Sequence, residues 1–228
     1  MKTTTAALLL AASTAGAALA VAQTPVTAPQ PTVPEVFTLE GEFVRVAYNN
    51  EGYATLGYRM AQEQLGQEWI LLQAGITLRK PAKSYKLKRE HLTVTTPDGK
   101  TIPLATQQEY RGGMGAVSSL NMRAKVVVDS INYFPNDVTR GCAMQFFGDD
   151  RGPGLAWDEV ELSWDRACLG RLYFRIPGGV QTGQHWLNIR FADSSIQVPF
   201  RILTKDEEKE FRKRWTEIKK QHEASFGQ

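Results

Sequence analysis

Glu159 and Glu161 stand two residues apart in Glu159-Val160-Glu161-Leu162. In a strand their carboxylates would share one face, about 6–7 Å apart. That gap lies between the spacings of retaining and inverting glycosidases, so Glu159 is the residue through which a hydrolase of envelope glycan or peptide would act. Two solvated glutamates on an exposed strand face are the plainer reading, because the sequence offers nothing else of a sugar cleft. His91 beside Glu90 and His185 beside Trp186 are of the type that serves as a general base, and a structural strand histidine carries the same signature. The third histidine, His222, falls near the end of a charged segment. Asp149-Asp150 and Asp158-Glu159 flank Gly152-Pro153-Gly154 and bring oxygens of the kind calcium takes, though without EF-hand or RTX spacing. Arg111-Gly112-Gly113-Met114-Gly115 reads as a turn or hinge, with an anion cradle as its sharper alternative. The chain has no G-x-S-x-G, no H-E-x-x-H and no glycine-rich phosphate loop. No catalytic set, metal site or cofactor is predicted, and binding is favoured over turnover.

The elements that would position a binding surface are strands. Val160, Leu162 and Trp164 alternate with Glu159, Glu161, Ser163 and Asp165; Leu172, Phe174 and Ile176 with Arg171, Tyr173 and Arg175. Leu187, Ile189 and Phe191 alternate in the same way with Trp186, Asn188 and Arg190, and Ile196, Val198, Phe200 and Ile202 with Gln197, Pro199 and Arg201. If these four strands pair consecutively, Arg171, Tyr173, Arg175, Trp186, Arg190 and Arg201 share one face. Such a face would suit an anionic or glycan ligand. The alternative is that Glu159, Glu161 and Asp165 pair with those arginines while a terminal helix covers the aromatics.

Earlier in the chain, 43–48 and 53–58 read as strands joined by Asn49-Asn50-Glu51-Gly52. Residues 68–78 are apolar on both faces, as in a central strand. Leu92–Thr96 and Thr101–Leu104 flank Pro97-Asp98-Gly99-Lys100, a hairpin turn by residue type. Val117, Leu120, Ala124, Val127, Val128 and Ile131 fall on one helical stripe, predicting an inserted helix over 117–131; Val126-Val127-Val128 favours a strand instead. Thr204-Lys205-Asp206-Glu207 is a capping box opening a C-terminal amphipathic helix over 204–228, with a narrow stripe of Phe211, Trp215 and Ile218 expected to dock on the sheet.

The early Trp-bearing strand, the Leu92–Lys100 hairpin and the closing pair of strands resemble the immunoglobulin-like, telokin-like domains of exported bacterial proteins over about residues 40–203. The resemblance implies an antiparallel immunoglobulin-like β-sandwich, taken here as 37–203, and assigns no activity, since fold alone does not fix function. The helix at 117–131 and the cysteine spacing depart from the Cys, Trp, Cys pattern of that fold.

Location is more legible than activity. Met1-Lys2, an apolar run with Leu8, Leu9 and Leu10, and Ala18-Leu19-Ala20 and Ala20-Val21-Ala22 predict a cleavable signal peptide over 1–22. A proline-rich tether follows over 23–36. The sequence holds two cysteines, Cys142 and Cys168, neither placed to carry a lipid; in an oxidising compartment they are expected to form a disulfide. The predicted protein is periplasmic or secreted and not stably inserted in a membrane after cleavage. Its net charge of +3 falls to +2 once Lys2 is removed, which gives no reason to expect nucleic acid. Its partner is expected to be a protein or a cell-envelope component.

Overall fold

The computed structural model describes residues 35–39, 43–129, 131–148 and 155–226, with side chains between Phe43 and Glu217. The predicted signal peptide, most of the predicted tether, Asp149, Asp150 and the side chains of Ile218 and His222 lie outside them. The chain is mainly β, with its strands in several sheets.

Strands β1 (Glu35–Leu39), β2 (Val44–Tyr48) and β3 (Gly52–Gly57) form an antiparallel meander that begins two residues inside the predicted tether. Its second turn closes as the residue types predict: the Asn49 side chain accepts from the backbone N–H groups of Glu51 and Gly52 at 2.9 and 2.8 Å, an Asx turn. Helix α1 (Arg59–Gln62) leads to β4 (Trp69–Leu78), in which every residue is buried. β5 (Tyr85–Lys88), a single 3-10 turn at Arg89–His91, β6 (Leu92–Thr95) and β7 (Thr101–Pro103) follow. Gly99, at φ 80°, closes the hairpin between the last two.

Helices α2 (Gln107–Gly112) and α3 (Met114–Arg123) come next, then β8 (Arg140–Ala143), β9 (Glu159–Leu162), β10 (Arg166–Arg175), β11 (Gly183–Arg190), β12 (Ser195–Ile202) and α4 (Lys205–Phe226). The helical insertion thus begins earlier than predicted and ends at Arg123 rather than Ile131. Thr106 starts it: its hydroxyl accepts from the Glu109 N–H at 3.1 Å while Glu109 accepts from the Thr106 N–H at 2.8 Å. The branched run Val126-Val127-Val128 is neither helix nor strand, because Asp129 is drawn onto the sheet. Its carboxylate, 1% exposed, accepts from the Arg59 N–H at 3.0 Å and from Arg59 Nε at 3.1 Å.

The strand order is β1-β2-β3-β4-β10-β8 in the large sheet, β12-β11-β6-β7 in a second, and β5-β9 in a ribbon. Consecutive pairing of the last four strands is therefore corrected: only β11 and β12 pair with each other, β10 pairs with β4 and β8, and β9 pairs with β5. Between β10 and β11 the chain turns through Gly178 and Gly179, both at positive φ, and passes from one sheet to the other. The inward rows predicted by alternation are buried, with Leu172, Phe174, Leu187, Ile189, Val198 and Phe200 all within one hydrophobic cluster. Trp164 departs from its row, lying 38% exposed under the Lys80 ammonium at 3.8 Å from the ring centroid.

β8 and β10 run parallel with Cys142 opposite Cys168, and these residues form a disulfide. Helix α4 has the predicted capping box, the Glu207 N–H donating to the Thr204 hydroxyl at 3.2 Å. The predicted docking on the sheet is corrected: none of its described residues is buried, and Phe211 and Trp215 stack on each other at 6.5 Å. A narrow i, i+4 aromatic pair shields part of its own surface without a sheet beneath it.

Candidate binding site

The register of β10 on β4 sets Arg171 opposite Gln73, Tyr173 opposite Leu71 and Arg175 opposite Trp69. Side chains at alternate positions share a face, and α2 and α3 lie over this one. Their junction is fitted to it: a Cβ on Gly113 would stand 2.4 Å from the Trp69 ring. Close helix-on-indole approach therefore accounts for a glycine at this point of the Arg111–Gly115 segment.

Asn121 of α3, 3% exposed, is the hub beneath the helices. Its Nδ2 donates to the Tyr110 hydroxyl at 3.2 Å, and the Tyr173 hydroxyl donates to its Oδ1. Arg171 reaches the same Oδ1 from Nη1 at 3.5 Å and donates from Nη2 to the Ala124 carbonyl at 3.2 Å, just past the end of α3. Burial pushes the Tyr173 phenol far above its ordinary value, so it stays a neutral donor. The rings of Tyr110, Phe147 and Tyr173 contact one another at 4.7 to 5.0 Å. Arg89 braces Phe147 from behind, 4.7 Å from its ring centroid, while donating to the Phe146 and Ala105 carbonyls; desolvation lowers its pKa.

Beside this network opens a cleft of about 260 Å³ walled by Tyr110, Asn121, Met144, Phe147, Arg171 and Tyr173. Arg171 sits half-buried in its wall. Among the described residues no carboxylate pairs with it. A guanidinium held from behind by a carbonyl, with free donor edges over aromatic walls, can take a carboxylate, phosphate or other planar anion.

Of the six residues predicted to share one face, the structure brings Arg171 and Tyr173 together here. Arg175, on the same sheet face, is exposed and bonded to Glu68 at 3.1 Å. Trp186 and Arg190 belong to β11 and Arg201 to β12, in the other sheet, so the single surface does not form. There Asn188 donates to Thr93 and Thr95 at 3.1 and 2.9 Å, and Arg201 pairs with Glu207 at 2.6 Å. The predicted acid partners go elsewhere too, Asp165 to Arg140 and Glu159 to Lys86. Sequence reading missed Tyr110, Asn121 and Phe147. Asn121 did leave a signal, a polar residue next to Leu120 on a stripe that must be buried.

Glu159, His91 and His185 each make a hydrogen bond within the fold. Glu159 takes a hydrogen bond from Lys86 at 2.5 Å, which holds its carboxyl below the usual range. His91 Nδ1 accepts from the Tyr85 hydroxyl at 2.6 Å and from the Lys88 N–H at 3.1 Å, and burial keeps the ring below its ordinary pKa. His185 is fully buried, Nδ1 donating to the Gly183 carbonyl at 3.1 Å, its ring 5.2 Å from Phe200. Among the described residues no three His, Cys, Asp or Glu side chains cluster as a metal site, and no helix is long and apolar enough to cross a membrane.

No family model, curated protein or solved structure matches this chain.

Proposed function

We propose that this protein is an exported, non-catalytic module with an immunoglobulin-like β-sandwich fold that binds a protein or envelope component through an anionic group seated on Arg171. The observation that carries the reading is Arg171 itself, fixed by the Ala124 carbonyl and Asn121, free of any described acid, at the mouth of a ring-walled cleft. A charged hydrogen bond to a pre-positioned guanidinium costs little reorganisation on binding. The disulfide between β8 and β10 suits an oxidising compartment, periplasmic or extracellular. The two large sheets share one core and differ from an immunoglobulin sandwich in the parallel β8–β10 pair.

A hydrolase working through Glu159 lacks this support. A general acid needs a raised pKa, whereas Glu159 is held low by Lys86 on an open ribbon.

The test is a titration of the chain from about Gln23 onward with peptidoglycan fragments and acidic envelope polysaccharide, wild type against Arg171→Gln. Binding should weaken by about tenfold or more in the variant, shown by circular dichroism to be folded, in keeping with the loss of one charge-assisted bond. Equal affinity of the two proteins would remove Arg171 from the reading, and substrate turnover would end the non-catalytic proposal.

A further inference from the structure

On the other side of α3 lies a larger cavity, of about 540 Å³, bounded by Glu63, Gln64, Trp69, Ser119, Leu120 and Arg123. That volume falls within the range of small-molecule sites. Its rim is built rather than left over. The turn after α1 is clamped to the segment before β11, the Gly66 N–H donating to the Val180 carbonyl and the Val180 N–H to the Gln67 carbonyl, both at 2.8 Å. Gly66 takes φ 79° to make this turn, and a Cβ on Gly179 would stand 2.8 Å from the Gly66 carbonyl oxygen.

Two features of the walls point to a ligand. Glu63 and Arg123, opposite charges lining one cavity, form no ion pair with each other or with any other described residue. Deeper in, a donor lacks an acceptor: Gln64 is 6% exposed and its Nε2 has no partner. Buried donors are rarely left open in folded proteins. Glu68, the other carboxylate in the wall, is already taken by Arg175 at 3.1 Å.

We infer that this cavity is a second binding site, independent of the Arg171 cleft, and that its ligand is a small zwitterion of the α-amino-acid type. The ligand's ammonium would meet Glu63 and its carboxylate Arg123 and Ser119, with the carboxylate oxygens also within the field of the open Gln64 donor. A simple anion would leave Glu63 facing it, a simple cation would leave Arg123 facing it, and a neutral sugar would use neither charge. The apolar wall of Leu120 and the indole edge favours an aliphatic side chain.

Calorimetric titration of the full chain with the twenty free L-amino acids, followed in parallel by tryptophan fluorescence, tests this. At least one aliphatic amino acid should bind with a Kd below about 1 mM. Its N-acetyl and amide derivatives should each bind at least tenfold more weakly, because each removes one of the two charges. Glu63→Gln and Arg123→Gln, both at exposed positions, should weaken binding by a similar factor, and Ser119→Trp should block the cavity. Circular dichroism melts of the three variants establish that they are folded. Absence of binding by every amino acid, undiminished binding of the capped derivatives, or undiminished binding by folded Glu63→Gln and Arg123→Gln proteins would each overturn the inference.

Discussion

On the six-stranded sheet, Arg171 and Tyr173 of β10 lie beneath α2 and α3; on the four-stranded sheet, Trp186 and Arg190 of β11 and Arg201 of β12 occupy the outward row of a sheet whose inward row is core. Both rows mix arginine with an aromatic residue in strict alternation. Under the helices the side chains meet each other: Tyr173 is 2% exposed and bonded to Asn121, and Arg171 is held at two points. On the other sheet, Arg190 and Arg201 are exposed, and what order they have comes from neighbours such as Glu207. A cover excludes water, strengthens each polar contact and fixes its geometry, so the covered row can preorganise a site. The open row can only offer a solvated surface.

The largest way to break this contrast is at the edge of the covered sheet. The disulfide joins residues 26 apart and ties β8, with the Met144–Phe147 segment that walls the cleft, to β10. Cys142→Ala with Cys168→Ala should lower the unfolding free energy by about 3–4 kcal/mol in the chain-entropy account, read from urea unfolding. Loss of less than about 1 kcal/mol would mean that the sheet edge is held by other contacts. The next effect lies at the hub. Asn121→Ala leaves the Tyr110 and Tyr173 hydroxyls without their buried partner and should cost about 2–3 kcal/mol. Asn121→Asp tests whether an acceptor alone suffices, since it keeps the bond from Tyr173 and removes the donor to Tyr110.

How much of this was legible follows from the physics of each region. Alternation gave the inward rows, since side-chain period 2 is a local property of a strand. Turn chemistry gave the Asn49 and Gly99 turns for the same reason. Strand partnership is not local: the crossing at Gly178 and Gly179 sends β11 to another sheet, and that single event divides Arg171 from Arg190. The insertion shows the same limit. Its stripe is visible from Val117 to Ala124, but its end is set by Asp129 reaching Arg59, a partner 70 residues away. The cleft's rings come from α2, β10 and the loop after β8, so no window of sequence contains them.

A smaller effect belongs to the inner face of the open sheet. His185 is buried with Nε2 unpartnered, and burial lowers its pKa from the ordinary 6.5. The unfolded chain therefore accepts a proton that the folded one resists. Stability is full above about pH 6.5 and falls as pH drops below it, at up to about 1.4 kcal/mol per pH unit, until the folded form also protonates. His185→Leu should flatten that part of the stability profile measured by chemical denaturation between pH 7 and 5. His91 has a pKa lowered in the same direction, so some slope will remain. An unchanged slope in the variant would show that the His185 site admits the charged ring.

The smallest effect is expected on the open face, and it is the one that most sharpens the contrast. Arg201 and Glu207 are 50% and 39% exposed at their side chains, where competition with water and side-chain entropy leave an ion pair little net effect. Arg190→Ala and Arg201→Ala together should move the melting midpoint by no more than about 2 °C, as surface substitutions away from caps and cores do. They should also leave ligand titrations at the Arg171 cleft unchanged. Because Glu207 belongs to the first turn of α4, a larger drop confined to Arg201→Ala would mean that this pair anchors the helix to the sheet. The open face would then be a covered one in solution, and Trp186 would rank with Tyr173 as a residue whose position is fixed by what lies over it.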